Sequence, residues 1–415
     1  MPTSGFQVNG GDLGNNLVPK SYLLDRYPEL ANTFKTAGLW VWGNNSYGQL
    51  GDNTRTKRSS PVQTIASGQN WKQVASGYVT AAIKTDGTLW MWGRNNNGQL
   101  GVNNNNGDVS SPVQTVSGGT NWKQVSVSDY HVGAIKTDGT LWLWGNAQNG
   151  QLGNNVGGVG AFYSSPVQTV AGGSNWKQLS VGGYSSFAVK TDGTLWTWGY
   201  NAYGQLGDNS RTQRSSPVQT VAAGTNWKQV SGGYVGVGAV KTDGTLWMWG
   251  RNTHGGLGTG NTTNYSSPVQ TVAAGTNWKQ VSVGSQTAGG GGNRMAFTAA
   301  IKTDGTLWCW GRNNYGQLGT NDTTNYSSPV QTIAGGTNWY QVSAGGYAIA
   351  AIKTDGTLWN WGKNSYYFTL GTNDATDRSS PTQTIAGGTN WKQVVVSYAT
   401  FAIRDDSADF GIGEL

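Results

Sequence analysis

The sequence predicts an all-β chain: a seven-bladed β-propeller of four-stranded antiparallel blades, closed by pairing of N- and C-terminal strands, with a short N-terminal extension. Three observations carry this. The ten-residue stretch Lys84–Gly93, Lys-Thr-Asp-Gly-Thr-Leu-Trp-x-Trp-Gly, returns at Lys136–Gly145, Lys190–Gly199, Lys241–Gly250, Lys302–Gly311 and Lys353–Gly362, with a degraded copy at Lys35–Gly43. The closing glycines, Gly43, Gly93, Gly145, Gly199, Gly250, Gly311 and Gly362, are therefore 50 to 61 residues apart, a period that means a solenoid, propeller or array. The unit divides into four short apolar runs separated by turn residues, the strand count of a propeller blade.

Each run has a local reason. Leu89-Trp90-Met91-Trp92 places both tryptophans on one face and Leu89 and Met91 on the other, so the strand must be covered on both sides. Ser59-Ser60-Pro61-Val62-Gln63-Thr64-Ile65 reads as a strand with proline near its start, where a missing N–H does least harm. Asn70-Trp71-Lys72-Gln73-Val74 is the next, and Ala81-Ala82-Ile83 the last, turning back through Asp86-Gly87 as a type I′ hairpin. The pairs and the Asn-Trp strand together use all 21 tryptophans, which are read as core. The first unit lacks its first two strands and the last lacks the Trp-x-Trp strand, so the two ends complete one blade and leave no open edge. The divisions are 1–38 as a docking extension, 39–406 as the propeller and 407–415 as a tail.

Composition narrows function. Charged residues are 11% of the 415, against about 25% in ordinary globular chains, so the surface is neutral amide, hydroxyl and aromatic. The net charge of +7 comes from lysines spread around the ring, which argues against nucleic acid as a partner. No apolar run resembles a signal peptide or could span a bilayer, so no membrane insertion is expected.

No catalytic set, cofactor site or metal site emerges, and the reading is of a non-enzyme. Glu29 and Glu414 are the only glutamates and lie outside the repeats, and His131 and His254 are in different units. The single cysteine, Cys309, occupies the variable position of Trp-x-Trp as a small apolar residue. Replacing His131, His254 and Cys309 together is expected to cost at most packing at Cys309.

Function is expected where the units differ. One place is the N-terminal segment, whose Tyr22, Leu23, Leu24, Tyr27, Leu30 and Phe34 are too apolar for a free tail and suit docking in a larger protein assembly. The others are Ser285–Phe297 with Arg294, Asn154–Tyr163, and Ser365-Tyr366-Tyr367-Phe368. After Trp-Gly the units carry Asn44, Arg94, Asn146, Tyr200, Arg251, Arg312 and Lys363; on a shared rim these form a neutral-to-cationic ring near Tyr47, Tyr203 and Tyr315.

The units resemble the regulator of chromosome condensation repeat family. The matching residues are the hairpin Asp-Gly, the following Trp-Gly, and Gly48-Gln49-Leu50-Gly51 with its copies Gly98–Gly101, Gly150–Gly153, Gly204–Gly207 and Gly316–Gly319; Gly255–Gly258 and Phe368–Gly371 are imperfect. The resemblance covers about Leu39–Asp406 and implies a seven-bladed propeller. In place of the family's histidine before the hairpin stand Tyr78, Tyr130, Tyr184, Tyr234, Tyr347 and Tyr398, and the Gly-Trp-Arg-His-Thr motif of a plant photoreceptor in the family is absent. The Asn/Thr-rich units look most like bacterial and bacteriophage members. The expected role is a structural or binding component of a virion (tail, fibre or surface decoration), with a cytoplasmic location otherwise. The alternatives are a lectin-like propeller for cell-surface glycan and, by analogy with a founder that acts on a small GTPase and chromatin, a regulator of a GTPase or of a DNA-associated protein.

Overall fold

The computed structural model describes residues 37–65, 70–222, 224–273, 275–285 and 296–405. These form 28 strands in seven four-stranded antiparallel sheets. Strand β1 is Ala37–Gly43 and β2 is Arg58–Gln63. The first complete blade is β3 (Trp71–Ser76), β4 (Val79–Lys84), β5 (Leu89–Gly93) and β6 (Val109–Gln114), ordered from the channel outward. The last strands, β27 (Trp391–Val396) and β28 (Ala399–Asp405), meet the first in the order β2-β1-β28-β27. Pairing runs from Ala37 opposite Asp405 to Gly43 opposite Ala399, which closes the ring as expected from the incomplete end units.

The core lies between blades, not within one. Val79, Ala81, Ile83, Leu89 and Met91 of one blade pack on Trp122, Val125, Val132, Ala134 and Trp144 of the next. The Gly-Gln-Leu-Gly loops serve this interface. Gly51 has φ +67°, and a Cβ there would lie 2.7 Å from Nε1 of Trp92 in the following blade. That indole N–H donates to the Gln49 carbonyl at 2.8 Å, so the glycine is what lets backbone reach the ring. Within the loop, buried Asn45 accepts from the Leu50 N–H and donates to Asp52 and to the carbonyls of Thr54 and Thr56.

One sequence expectation is corrected. The Asp-Gly hairpins are not type I′. Gly87 has φ +81° but Asp86 does not enter the left-handed region; Gly87 N–H donates to Lys84 O and Lys84 N–H to Thr88 O. This is a three-residue loop with glycine at the left-handed position. The Asp86 carboxylate takes both the N–H (2.9 Å) and hydroxyl (2.7 Å) of Thr88, a task that a negative φ serves. Nor are the core tryptophans equally buried. The second of each pair and the inner-strand tryptophan are buried, while the first is half-buried, and in six of the seven blades, as at Trp90 and Trp142, it donates its indole N–H to the hairpin threonine. These six lie under the lysine ending the strand before them, Lys84 Nζ being 4.6 Å from Trp90 and 5.1 Å from Trp71, and Trp40 lies under Arg404.

The seven innermost strands are tied to each other by a feature the sequence reading missed. The glutamine after each Trp-Lys (or Trp-Tyr) reaches to the next innermost strand and makes two amide hydrogen bonds with one residue there. Gln73 pairs with Val125, Gln124 with Leu179, Gln178 with Val230, and so on to Gln393 with Val74. The circle closes, with all its distances between 2.9 and 3.3 Å.

A candidate binding face at one mouth of the channel

Antiparallel blades put the β3–β4 type of loop and the segment after Trp-Gly on one face, and the Asp-Gly hairpins on the other. The first face is built of tyrosine. The β3–β4 loops deliver Tyr78, Tyr130, Tyr184, Tyr234, Tyr347 and Tyr398 to the channel mouth. Tyr78 stacks on Tyr398 (4.6 Å) and Tyr130 on Tyr184 (4.4 Å), and Tyr234 stands edge-on to Tyr130 and Tyr184. The array spreads outward through Tyr47 on Tyr78, Tyr315 on Tyr347, and Tyr200 between Tyr184 and Tyr203.

The expected rim of cations lies on these rings. Arg94 covers Tyr47 and Tyr78 at 5.1 and 5.6 Å, Arg251 covers Tyr203 at 4.9 Å, and Arg312 covers Tyr315 at 5.6 Å. Lys363 Nζ lies 4.4 Å from Tyr315 and 4.9 Å from Tyr347. The aromatic break in the Gly-Gln-Leu-Gly pattern joins the same array: Tyr367 packs on Tyr347 and Tyr398, and exposed Tyr366 stands edge-on to Tyr367 with Lys57 Nζ 3.6 Å above its ring. Phe368 takes φ +58° to make that turn. Asn44 is buried, with its amide oxygen taken by Ser46. The 154–163 loop exposes Val159 and Phe162. Tyr22, Leu23, Leu24, Tyr27, Leu30, Phe34 and Arg294 lie outside the described residues.

Below the tyrosines is a cavity of about 110 Å³ lined by the ends of all seven inner strands, among them Ser76, Val181, Gly232 and Val396. Its one carboxylate is Asp129, 4% exposed. Tyr234 donates its hydroxyl to Asp129 at 2.5 Å and the Tyr78 N–H donates at 3.1 Å, with a further bond from the Tyr398 hydroxyl. Burial pushes the Asp129 carboxyl up to about 6, against these bonds and the attraction of Arg94. Burial, and then the Asp129 charge, hold the Tyr234 phenol well above its usual range. Asp129 was not singled out in the sequence, although the signal was there: Ser128-Asp129-Tyr130 stands where two other units read Gly182-Gly183-Tyr184 and Gly345-Gly346-Tyr347.

His131 has no free ring nitrogen. It is fully buried between the hydroxyls of Ser128 and Ser186, each 2.9 Å away, and burial draws its pKa down to about 3. Ser186 donates onward to the Gln151 carbonyl, so it accepts from Nε2–H and leaves Nδ1 to accept from Ser128. The expectation that the triple replacement costs packing at Cys309 alone is therefore corrected: His131 is itself a hydrogen-bonded core residue. Burial raises the Cys309 thiol pKa, which disfavours thiolate chemistry. Among the described residues no group of three or more His, Cys, Asp or Glu side chains is placed to hold a metal, and no helix is long and apolar enough to cross a membrane.

Comparison with known proteins agrees with this architecture. An RCC1-like domain matches residues 33–289, and the regulator of chromosome condensation (RCC1) repeat matches residues 278–317 and 304–352. The ultraviolet-B receptor UVR8 of Arabidopsis thaliana is 30% identical over 346 residues, 82% of this chain and 76% of that protein. The human E3 ubiquitin-protein ligase HERC2 is 28% identical over 79% of this chain, which spans only 7% of HERC2. Among solved structures, human WBSCR16 superposes with a TM-score of 0.77 at 21% identity, covering 88% of this chain and 99% of that one. Saccharomyces cerevisiae Prp20p, described with its binding to Gsp1p and histones, gives 0.76 at 17% identity, covering 90% and 94%.

Proposed function

The chain belongs to the RCC1-like domain family, and from that premise we propose that it is a protein-binding propeller of regulatory type whose recognition surface is the tyrosine-lined mouth of the channel. Neither a virion setting nor a glycan ligand finds support among these relatives, whereas Prp20p is described by protein partners. One observation carries the reading: Arg94, Arg251, Arg312 and Lys363 are laid over tyrosine rings on one face, at positions where other blades carry Asn44, Asn146 and Tyr200. Repeated residues serve the ring; this set varies from blade to blade. Tyrosine and arginine dominate binding energy because they bring large contact area and forked donors at little conformational cost. The cations select a partner with an acidic surface. The chemistry is that of a binder, since the one carboxylate in the cavity is committed to two tyrosines and a backbone N–H.

The test places a photo-crosslinking residue at Tyr366 in one version and at Thr137, on the hairpin face, in another, within cells of the source organism. A discrete partner is expected from position 366 alone. Its affinity, measured with purified components, is expected to fall by about 2 kcal/mol or more in Arg94→Ala/Arg251→Ala/Arg312→Ala. A partner trapped only from position 137, or unchanged affinity in the triple variant, overturns the assignment.

A further inference from the structure

The opposite mouth of the channel carries a different ring. The second residue of each innermost strand is exposed, and in six of the seven blades it is a lysine: Lys72, Lys123, Lys177, Lys228, Lys279 and Lys392; the seventh is Tyr340. They stand close about the axis. The next residue along each strand is the glutamine that binds the neighbouring innermost strand directly, and Lys279 Nζ lies 5.2 Å from the ring of Tyr340 in the adjacent blade. Farther out the cations are already engaged: Lys84, Lys136, Lys190, Lys241, Lys302 and Lys353 each sit over two tryptophan rings, and Arg404 does the same in the closing blade. Among the described residues Lys72, Lys123, Lys177, Lys228 and Lys392 make no ion pair, hydrogen bond or ring contact. Outside them lie the exposed hairpin carboxylates Asp86, Asp138, Asp192, Asp243, Asp304 and Asp355.

We propose that this mouth is a binding site for a compact polyphosphate anion, held on the channel axis by the six lysines. The radial order of charge selects the ligand. The lysines belong to the innermost strands, and the hairpin carboxylates stand between the second and third strands of each blade, farther out. An extended polyanion such as a duplex would have to cross the carboxylates on both sides, whereas an anion small enough to sit inside the ring meets only cations. Lysine suits this task as a compact point charge on a flexible stem, able to meet phosphates that radiate from a centre. Six like charges around one mouth repel each other within a screening length of about 10 Å, and a bound polyanion relieves that repulsion. Apart from Lys279 on Tyr340, these lysine side chains hold nothing in the fold together, because the neighbouring glutamine and tryptophan supply the contacts.

The site is separate from the tyrosine face, and the experiment keeps the two apart. Inositol hexakisphosphate and tripolyphosphate are titrated calorimetrically into the full chain at low and physiological salt. One anion per chain is expected, bound more tightly at low salt. Lys72→Gln/Lys177→Gln/Lys228→Gln is expected to weaken it about tenfold or more. Tyr340→Lys, which completes the ring, is expected to tighten it, and Arg94→Ala/Arg251→Ala/Arg312→Ala to leave it unchanged. All the altered side chains are exposed or half-buried, and circular dichroism checks the fold. Absence of saturable binding, weakening by the tyrosine-face variant instead, or failure of Tyr340→Lys to tighten overturns the proposal. So does displacement of the anion by an equimolar short DNA duplex.

Discussion

At Asp129 one blade of the seven places a buried carboxylate at the mouth of the channel, and this single residue couples that mouth to pH. The unfolded chain titrates it near 3.8 and the folded chain at about 6. Between those values the folded state holds more protons, so this group's contribution to stability falls as pH rises, by on the order of 3 kcal/mol in all. His131 has the opposite slope: held at about 3 when folded against 6.5 when free, it adds stability as pH rises through that window. Comparing Asp129→Asn with the parent cancels the histidine and the hairpin carboxylates. The variant is expected to gain on the parent by on the order of 3 kcal/mol between pH 4 and pH 7, read from urea denaturation at each pH. A difference that does not vary with pH would mean that the carboxyl is not held protonated in this range.

Among the elements, the innermost strands bear the closest dependence on one side chain. Without the glutamines, seven strands around a channel would face each other across backbone groups that no sheet pairs. Each amide supplies one donor and one acceptor in the geometry of a missing strand neighbour. Gln178→Leu leaves the Val230 N–H and C=O without their partner, and a cost of about 1–3 kcal/mol is expected in chemical denaturation. Lys177→Gln, one residue earlier and exposed, is expected to change stability by less than about 0.5 kcal/mol. Equal effects from the two would remove the glutamine ring from the account of how the blades hold together. Glutamine at this place is fully visible in the repeat, but its partner is about 52 residues away in the next unit, so its role could not be read from local pattern.

For the molecule as a whole the decisive contact is the closure of the last blade by the first strand. β1 supplies the partner that Phe401, Ala402 and Ile403 need, and its Val41 and Leu39 enter the core with Trp71 and Trp92 of the following blade. A chain beginning at Gly51 loses both and exposes β28 as an edge. Aggregation, or a lower melting temperature with a less sharp transition, is expected by size-exclusion chromatography and calorimetry. A monomeric product with unchanged melting would show that the ring does not need its closing strand. Closure also places the two functions proposed here: with all strands antiparallel and the ring complete, tyrosine loops gather at one mouth and inner-strand lysines at the other.

The sequence by itself determined the fold, the number of blades, the strand order and the way the ends join. These follow from a period near 50 residues, from two-sided apolar strands and from end units that are each half a blade. It also placed Arg94, Arg251, Arg312, Tyr366 and Tyr367 where the units diverge. Tertiary structure alone decided what those residues are to one another. The stacking of Tyr78 on Tyr398 joins positions 320 residues apart, and Tyr234 reaches Asp129 across 105 residues. The tryptophans show the same division. Their sequence positions are equivalent, yet one of each Trp-x-Trp pair is buried and the other half-buried beneath a lysine or, in the closing blade, Arg404, because the second falls deep between blades and the first nearer the hairpin edge. A repeat specifies what each unit buries against its neighbour, since every unit meets the same surface. What gathers on the axis depends on all seven units at once, and that convergence exists only when the ring has closed.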